Sequence, residues 1–249
     1  TDLRLSSEQM YYEAKLHYES IASSNAPAYS RREWSHLLTE AQEDVVMNVV
    51  KEGIDNSDYN RRVVYALMVN VTKTSGSIIS GTLYPNSYEL DLPANILTIL
   101  NERVKVGTTE NIEVKQISYD SYWANIRNPY KKPYNKMVWR LNSQSNLTIP
   151  SEDETQETTY FNKIILISYG SAITQYKAEY IRKPKPIIVP NAGLTSSKSL
   201  SGYTETSNCE LDAICHRDIV RQAAKLASAY TKDQIAYQIQ NNEQKQLEN

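Results

Sequence analysis

Few residues of this chain have the type and spacing that binding chemistry requires. Gly76 and Gly81 have the spacing of a phosphate-binding loop, but Thr82 stands where that motif needs a lysine. The dinucleotide motif Gly-x-Gly-x-x-Gly cannot be built from the seven glycines of the sequence. Because a phosphate cradle needs glycine to let the backbone approach closely, we expect neither standard nucleotide site.

The three histidines and two cysteines also lack a reactive arrangement. His17, His36 and His216 do not match the ligand spacing of a zinc site, and Cys209 and Cys215 have an unusual Cys-x5-Cys spacing. No Gly-x-Ser-x-Gly elbow marks a serine nucleophile. We interpret His216 as a polar contact at the start of a helix and both cysteines as free thiols. We therefore expect no enzymatic activity, no metal and no cofactor.

A reversal of charge between two adjacent segments is more informative. Residues 121–151 contain no Asp or Glu. Their cations alternate with aromatic side chains: Arg127, Lys131, Lys132, Lys136 and Arg140 stand among Tyr122, Trp123, Tyr130, Tyr134 and Trp139. The next residues, Glu152, Asp153 and Glu154, followed by Glu157, are acidic. The pattern predicts a contact in which the basic segment of one copy meets the acidic segment of another.

Two other interpretations of these segments stay open. Basic residues among aromatics also bind nucleic acid, but five cations in one loop are few for a dedicated DNA-binding protein, and the net charge is -2. The acidic run is also compatible with a divalent cation or, more simply, with a solvated turn.

The composition indicates that part of the core is shared between subunits. The sequence has 19 Tyr and 1 Phe, and tyrosine is enriched in interfaces because its ring is apolar while its hydroxyl stays paired or wet. A tyrosine-rich monomer is the alternative. The sequence contains no apolar run long enough to cross a membrane, and Thr1–Arg4 opens no signal peptide, so we expect assembly in a cytoplasm.

The order of elements predicts an α+β fold. Helices are expected at Ser6–Ala22, Trp34–Val50, Tyr59–Lys73 and Leu211–Gln240, with capping boxes at Ser6/Gln9 and Ser30/Glu33. Strands are expected at Ser77–Leu83, Ser87–Leu92, Ile112–Ile117, Met137–Leu141, Phe161–Tyr169 and Ile173–Arg182; Ile96–Val106 is ambiguous, and Asp120–Arg127 is a possible short helix.

These elements predict four regions along the chain. They are an N-terminal helical region (1–75), a mostly antiparallel β-rich region (76–190), a loop (191–207), and a C-terminal helix with a polar tail (208–249). We expect the N-terminal helices and the long C-terminal helix to pack together as one domain, with the β region inserted between them.

Several motifs, taken in order, resemble a known family. Asn128–Tyr134 precedes a strand that begins Met137-Val138-Trp139-Arg140, Tyr180–Ile187 follows, and Cys209-Glu210-Leu211 comes before His216. This order resembles the head-to-tail connector, or adaptor ring, proteins of short-tailed phages, most closely those of crAss-like phages. The family often has Pro after the Glu-Leu pair, where this chain has Asp212, itself a good helix cap.

The resemblance implies a twelve-fold ring of this chain in the virion, bound beneath the portal protein, in contact with further tail ring proteins and lining the channel through which genomic DNA leaves. It implies no catalysis, no membrane partner and no sequence-specific DNA binding. Another tail ring or gatekeeper is the nearest alternative; a virion nuclease or lysis enzyme and a nucleic-acid-binding module are more distant ones. The residues that we expect at subunit contacts are Asn128, Pro129, Tyr130, Lys131, Lys132, Pro133, Tyr134, Arg140, Glu152, Asp153, Glu154 and Arg182.

Overall fold

A computed structural model describes residues 4–21, 28–144 and 162–230. The chain divides into two compact units. The first combines Thr1–Leu67 with Pro184–Asn249, and the second is Met68–Lys183. The helical unit is therefore interrupted in sequence by the β-rich unit, and the α+β class predicted from the sequence is confirmed.

Helices make up most of the described first unit. They are α1 (Ser7–Ile21), α2 (Arg31–Glu52), α3 (Asp58–Tyr65) and a C-terminal helix that covers 216–230, preceded by a 3-10 turn at Ala213–Cys215. The predicted capping box at the start of α2 is confirmed: Ser30 Oγ accepts from the Glu33 N–H, and Glu33 Oε2 accepts from the Ser30 N–H at 2.6 Å. Trp34 is buried in α2, where Tyr11, Tyr18 and Tyr29 pack their rings against it.

The termini of the described chain meet in this unit. The backbone N–H of Leu5 donates to His216 Nδ1 at 3.0 Å, and the N–H of Ser7 donates to Asn208 Oδ1 at 2.8 Å. These bonds satisfy backbone donors just before α1 and at its first residue, which have no partner within the helix. They also confirm the interpretation of His216 as a polar contact at the start of the C-terminal helix.

An extended strap, 184–190, lies along α2. A row of polar side chains on the helix binds its backbone: Val189 N–H donates to Ser35 Oγ at 3.0 Å, Ile187 N–H donates to Thr39 Oγ1 at 3.1 Å, and Gln42 Nε2 donates to the Lys185 carbonyl at 2.9 Å. The spacing of these helix positions, three or four residues, matches alternate residues of the strap. Pro184 and Pro186 have no backbone N–H to pair. Side chains of a helix can therefore satisfy the backbone hydrogen-bonding groups of the strap without a neighbouring strand.

The second unit is an eight-stranded sheet with one short helix, α4 (Tyr119–Asn125). Its strands are β1 (Met68–Thr74), β2 (Ile79–Ser80), β3 (Ser87–Leu92), β4 (Ile96–Val106), β5 (Thr109–Gln116), β6 (Met137–Gln144), β7 (Asn162–Ile167) and β8 (Ile173–Arg182). The order is β1-β8-β4-β5-β6-β7-β3-β2, and every pair is antiparallel except β5–β6.

The sheet curls into an incomplete barrel. A flat eight-stranded sheet would hold its edge strands about 34 Å apart. The edge strands here are β1 and β2, and the chain from Thr74 to Ile79 spans at most about 18 Å. The edges must therefore approach each other. One buried cluster accordingly includes side chains from β3 through β8: Leu90, Leu92, Val104, Val106, Ile112, Val138, Ile164, Leu166, Ile173, Tyr176 and Ala178.

The helix predicted over Tyr59–Lys73 is wrong in its second half. α3 ends at Tyr65, and β1 begins at Met68 and pairs along its whole length with β8. Val69 and Val71 are β-branched and lie at strand spacing, which suits a pleated partner surface. The strand predicted at Ser77–Leu83 shrinks to Ile79–Ser80, and the ambiguous Ile96–Val106 is a strand.

Candidate functional site

The helix α4 lies over the outer side of β6 through a buried aromatic cluster. Ser118 caps α4 by accepting from the Ser121 N–H. The ring of Tyr122, on the inner side of α4, lies 4.7 Å from the ring of Tyr84 and 6.2 Å from that of Trp139 on β6, centroid to centroid. All three aromatic side chains are buried. The residues that follow α4 therefore start from a fixed position on the sheet.

The loop Asn128–Tyr134 is held by its own hydrogen bonds. Asn128 Oδ1 accepts from the Tyr130 N–H at 3.0 Å, and its carbonyl accepts from the N–H groups of Lys131 and Lys132. At the other end, Tyr134 and Met137 exchange backbone hydrogen bonds, and Pro133 is buried. Asn128 thus closes a turn with both its side chain and its backbone, and two prolines fix φ within the loop.

This loop and α4 turn aromatic and basic side chains toward solvent. The exposed fractions are 66% for Trp123, 95% for Tyr130 and 50% for Tyr134. We name the basic–aromatic face as these three side chains together with the exposed cations Lys115, Arg127, Lys131, Lys132 and Lys136. Within the described ranges, none of these five cations forms an ion pair with an acidic side chain. Exposed aromatic rings beside basic side chains are typical of a surface that binds a partner.

A cleft opens in this face beside the loop. Its volume is about 560 Å³, and its lining includes Lys115, Ile117, Tyr130, Lys131, Met137 and Trp139. Sequence reasoning missed Lys115, because the acid-free window that drew attention begins after Asp120. The periodicity of β5 offered the missing signal, since Lys115 points away from the face that carries Ile112 and Val114.

Arg140, predicted at a subunit contact, is instead buried inside the sheet. Its Nη1 lies 2.6 Å from Glu102 Oε2, and the two side chains are only 7% and 9% exposed. Glu102 also accepts from the Tyr176 hydroxyl, and Gln116 accepts from Arg140 Nη2. Burial, reinforced by the Glu102 carboxylate, raises the pKa of Tyr176 well above its usual range. This polar cluster joins four adjacent strands, β8, β4, β5 and β6, so Arg140 has a partner within its own chain.

Of the other residues predicted at subunit contacts, Arg182 is described by the structure and three acidic residues are not. Arg182 is half-buried at the end of β8, and its Nη1 donates to the Lys183 carbonyl at 3.3 Å. Glu152, Asp153 and Glu154 lie outside the described residues. The structure therefore brings together Asn128–Tyr134 and the neighbouring cations, but it places Arg140 apart from them.

The two cysteines and His216 are buried side chains, and burial shifts the pKa of each one. Burial raises the pKa of both Cys209 and Cys215 to about 12, which disfavours the thiolate that a nucleophile needs. Burial lowers the pKa of His216, which keeps its imidazole neutral. Over the described ranges, no three His, Cys, Asp or Glu side chains group closely enough to hold a metal ion. No helix in that part of the chain is long and apolar enough to cross a membrane.

Comparison with known proteins agrees with the resemblance found in the motifs. Residues 5–243 match the model of a family described as phage tail ring protein 3/4. A protein named Ring protein 4/5 from Bacteroides phage crAss001 is 30% identical over 224 residues, which cover 85% of this chain and 87% of that protein. Ring protein 3 of the same phage is 24% identical over 212 residues, covering 78% of this chain and 83% of its own length.

Proposed function

Since the chain belongs to the phage tail ring protein 3/4 family, we propose that its copies close a ring at the head-to-tail junction, beneath the portal protein. Membership makes it a structural component of the virion that assembles as a ring with other tail ring proteins. The proposal adds that this ring lines the channel through which the genome leaves, and that it performs no catalysis. We also propose twelve copies, the number that the resemblance to connector proteins implies.

The basic–aromatic face is the observation that supports this assembly role. A ring of identical subunits is built from one heterologous contact, in which a face of each copy meets a different face of the next. Such a contact needs apolar rings that become buried and charges that fix the orientation. Tyr130 and Trp123 supply exposed rings, and Lys131 and Lys132 supply cations on a loop fixed by Asn128.

The overall charge supports a channel through which DNA slides. The net charge is -2, so the subunit as a whole does not attract a polyanion strongly. A wall that gripped phosphates tightly would slow ejection. We therefore expect the ring to contact DNA without sequence preference and with low affinity.

A direct test is to measure assembly and docking together. The purified protein, alone and mixed with the portal protein, should form a closed ring by size-exclusion chromatography with mass measurement, and should co-purify with the portal. Lys131→Glu with Lys132→Glu should impair ring formation or docking. The matched control is Arg103→Glu with Lys177→Glu, which reverses two exposed cations that face each other across β4 and β8. Equal assembly of the loop variant and wild type would remove the loop from the contact.

A ring further along the tail is the second candidate position, because both relatives are named only as numbered ring proteins. The two positions differ in their neighbours. Co-purification with the portal protein supports the junction, whereas co-purification with tail ring proteins and not with the portal supports the lower position. One image of the particle with this chain traced in it decides between them.

A further inference from the structure

We propose that the basic–aromatic face of each copy receives the acidic segment 152–157 of the neighbouring copy. This inference rests on the proposed ring, and it names the two surfaces that meet in the subunit contact. The occupant of the cleft beside Tyr130 and Lys131 is thus a second copy of this chain.

Charge complementarity is the first argument. The five cations of the face have no acidic partner within the described ranges. The connection between β6 and β7 carries Glu152, Asp153, Glu154 and Glu157 and contains no Lys or Arg between residues 145 and 161. Each surface therefore carries a charge of one sign, and opposite surfaces of this kind attract and orient one another when copies meet.

Chain geometry argues against pairing of the acidic segment with the loop Asn128–Tyr134 of its own copy. β6 runs from Met137, beside the loop, to Gln144, and eight strand residues carry the chain about 24 Å away. Gln144 pairs with Asn162, so both ends of the acidic connection start from that distant point. Five residues separate Glu157 from Asn162 in the sequence, and a segment of that length spans at most about 18 Å, less than the distance along β6 to the loop. Glu152 is eight residues from Gln144 and reaches that loop only if the intervening chain is almost fully extended.

The face is built to bind and needs little rearrangement. The loop is closed by Asn128 and Pro133, so its backbone loses little conformational freedom when a partner covers it. The Tyr130 side chain is 95% exposed, and it lies at the edge of the cleft of about 560 Å³. Aromatic side chains next to a recess are the positions that dominate binding energy in protein contacts.

Mixing of charge-reversed variants tests the assignment. The basic variant carries Lys115→Glu, Lys131→Glu, Lys132→Glu and Lys136→Glu, which change the face from five positive charges to a net charge of -3. The acidic variant carries Glu152→Lys, Asp153→Lys and Glu154→Lys, which change the acidic segment from four negative charges to a net charge of +2. Each variant alone should need about tenfold or more protein to assemble to half its maximum, because like charges then face each other at every contact. An equimolar mixture should recover assembly near the wild-type concentration. In an alternating ring with an even number of subunits, every contact again joins opposite charges.

Two controls test the folding of the variants and the specificity of the pairing. A single chain carrying both sets of substitutions should also assemble, because each contact again joins opposite charges, and this result shows that the reversed segments still fold. In a mixture with Arg103→Glu with Lys177→Glu, whose own copies should still assemble, the acidic variant should not enter the rings, because those cations lie outside the face. Recovery in the chain with both sets of substitutions without recovery in the mixture would mean pairing within one copy and would overturn the inference.

Two further results would contradict it. The first is normal assembly by both single-segment variants, which would discard this contact while leaving the ring intact. The second is a basic variant that assembles normally but loses binding to a short DNA duplex, which would assign the face to nucleic acid. Failure of the wild-type protein to form a ring, alone or with the portal protein, would instead count against the proposed function itself.

Discussion

Replacement of Arg140 by methionine should lower the free energy of unfolding by far more than a substitution at an exposed position does. Arg140 and Glu102 are 7% and 9% exposed, with charged atoms 2.6 Å apart. In Arg140→Met the Glu102 carboxylate remains buried, with the Tyr176 hydroxyl as its remaining donor from this cluster. Breaking a buried pair in this way costs about 3–5 kcal/mol. For a chain of 249 residues, that loss lowers Tm by roughly 6–10 °C.

A double variant separates the pair from general disruption. Glu102→Gln with Arg140→Met removes both charges but keeps an acceptor for the Tyr176 hydroxyl. The double variant should therefore lose much less free energy of unfolding than the two single variants lose in sum. The coupling free energy should reach about 2 kcal/mol, within the range for residues in one network. Arg103→Met removes an exposed cation on the same strand as Glu102 and should change stability by about 0.5 kcal/mol or less.

Urea unfolding followed by circular dichroism measures these free energies, and size-exclusion chromatography of the same samples measures assembly. A loss below about 1 kcal/mol in Arg140→Met would match an exposed pair instead, and would refute the assignment of Arg140 to the interior. A variant that is fully stable but fails to assemble would return Arg140 to the subunit contact.

Three further changes test the helical unit. Burial lowers the pKa of His216, so the unfolded chain, where the imidazole titrates near its ordinary pKa of about 6.5, binds a proton more readily than the native state does. The free energy of unfolding should therefore fall as the pH drops below about 6.5. In His216→Gln, Tm should change less between pH 7.5 and pH 5 than in the wild type. Thr39→Val leaves the buried Ile187 N–H without its acceptor and should cost about 1–3 kcal/mol in urea unfolding. Ser30→Ala removes the cap of α2 and should cost about 1 kcal/mol in the same measurement.

Local signals in the sequence predicted the elements that depend on neighbouring residues. The α2 capping box needs only Ser30 and Glu33, and the alternation in Ile173–Arg182 needs only that strand. The error at Tyr59–Lys73 has a distant cause. Val69 and Val71 pair with Tyr180 and Ala178, more than a hundred residues later, and no helical pattern in the local sequence reveals that pairing.

The candidate site shows the same limit. The acid-free composition of 121–151 drew attention to a loop whose cations are exposed, but it grouped the buried Arg140 with them. Its partner Glu102 is 38 residues earlier in the chain, and only the sheet order β4-β5-β6 brings the two together. A count of charges along the sequence cannot distinguish a cation that is exposed on the surface from one that pairs with a carboxylate inside its own sheet.

The strand β6 links these two kinds of charge, because its side chains alternate between the two sides of the sheet. Val138 and Arg140 point into the barrel, whereas Trp139 and Leu141 support α4 and the face above it. A substitution in β6 therefore changes the internal ion pair or the support of the contact surface, and a loss of assembly from such a variant has two possible causes. Lys131 and Lys132 lie on a loop outside the strand, are exposed and have no described ionic partner. Only charge reversal at such positions separates the contact between subunits from the stability of the subunit.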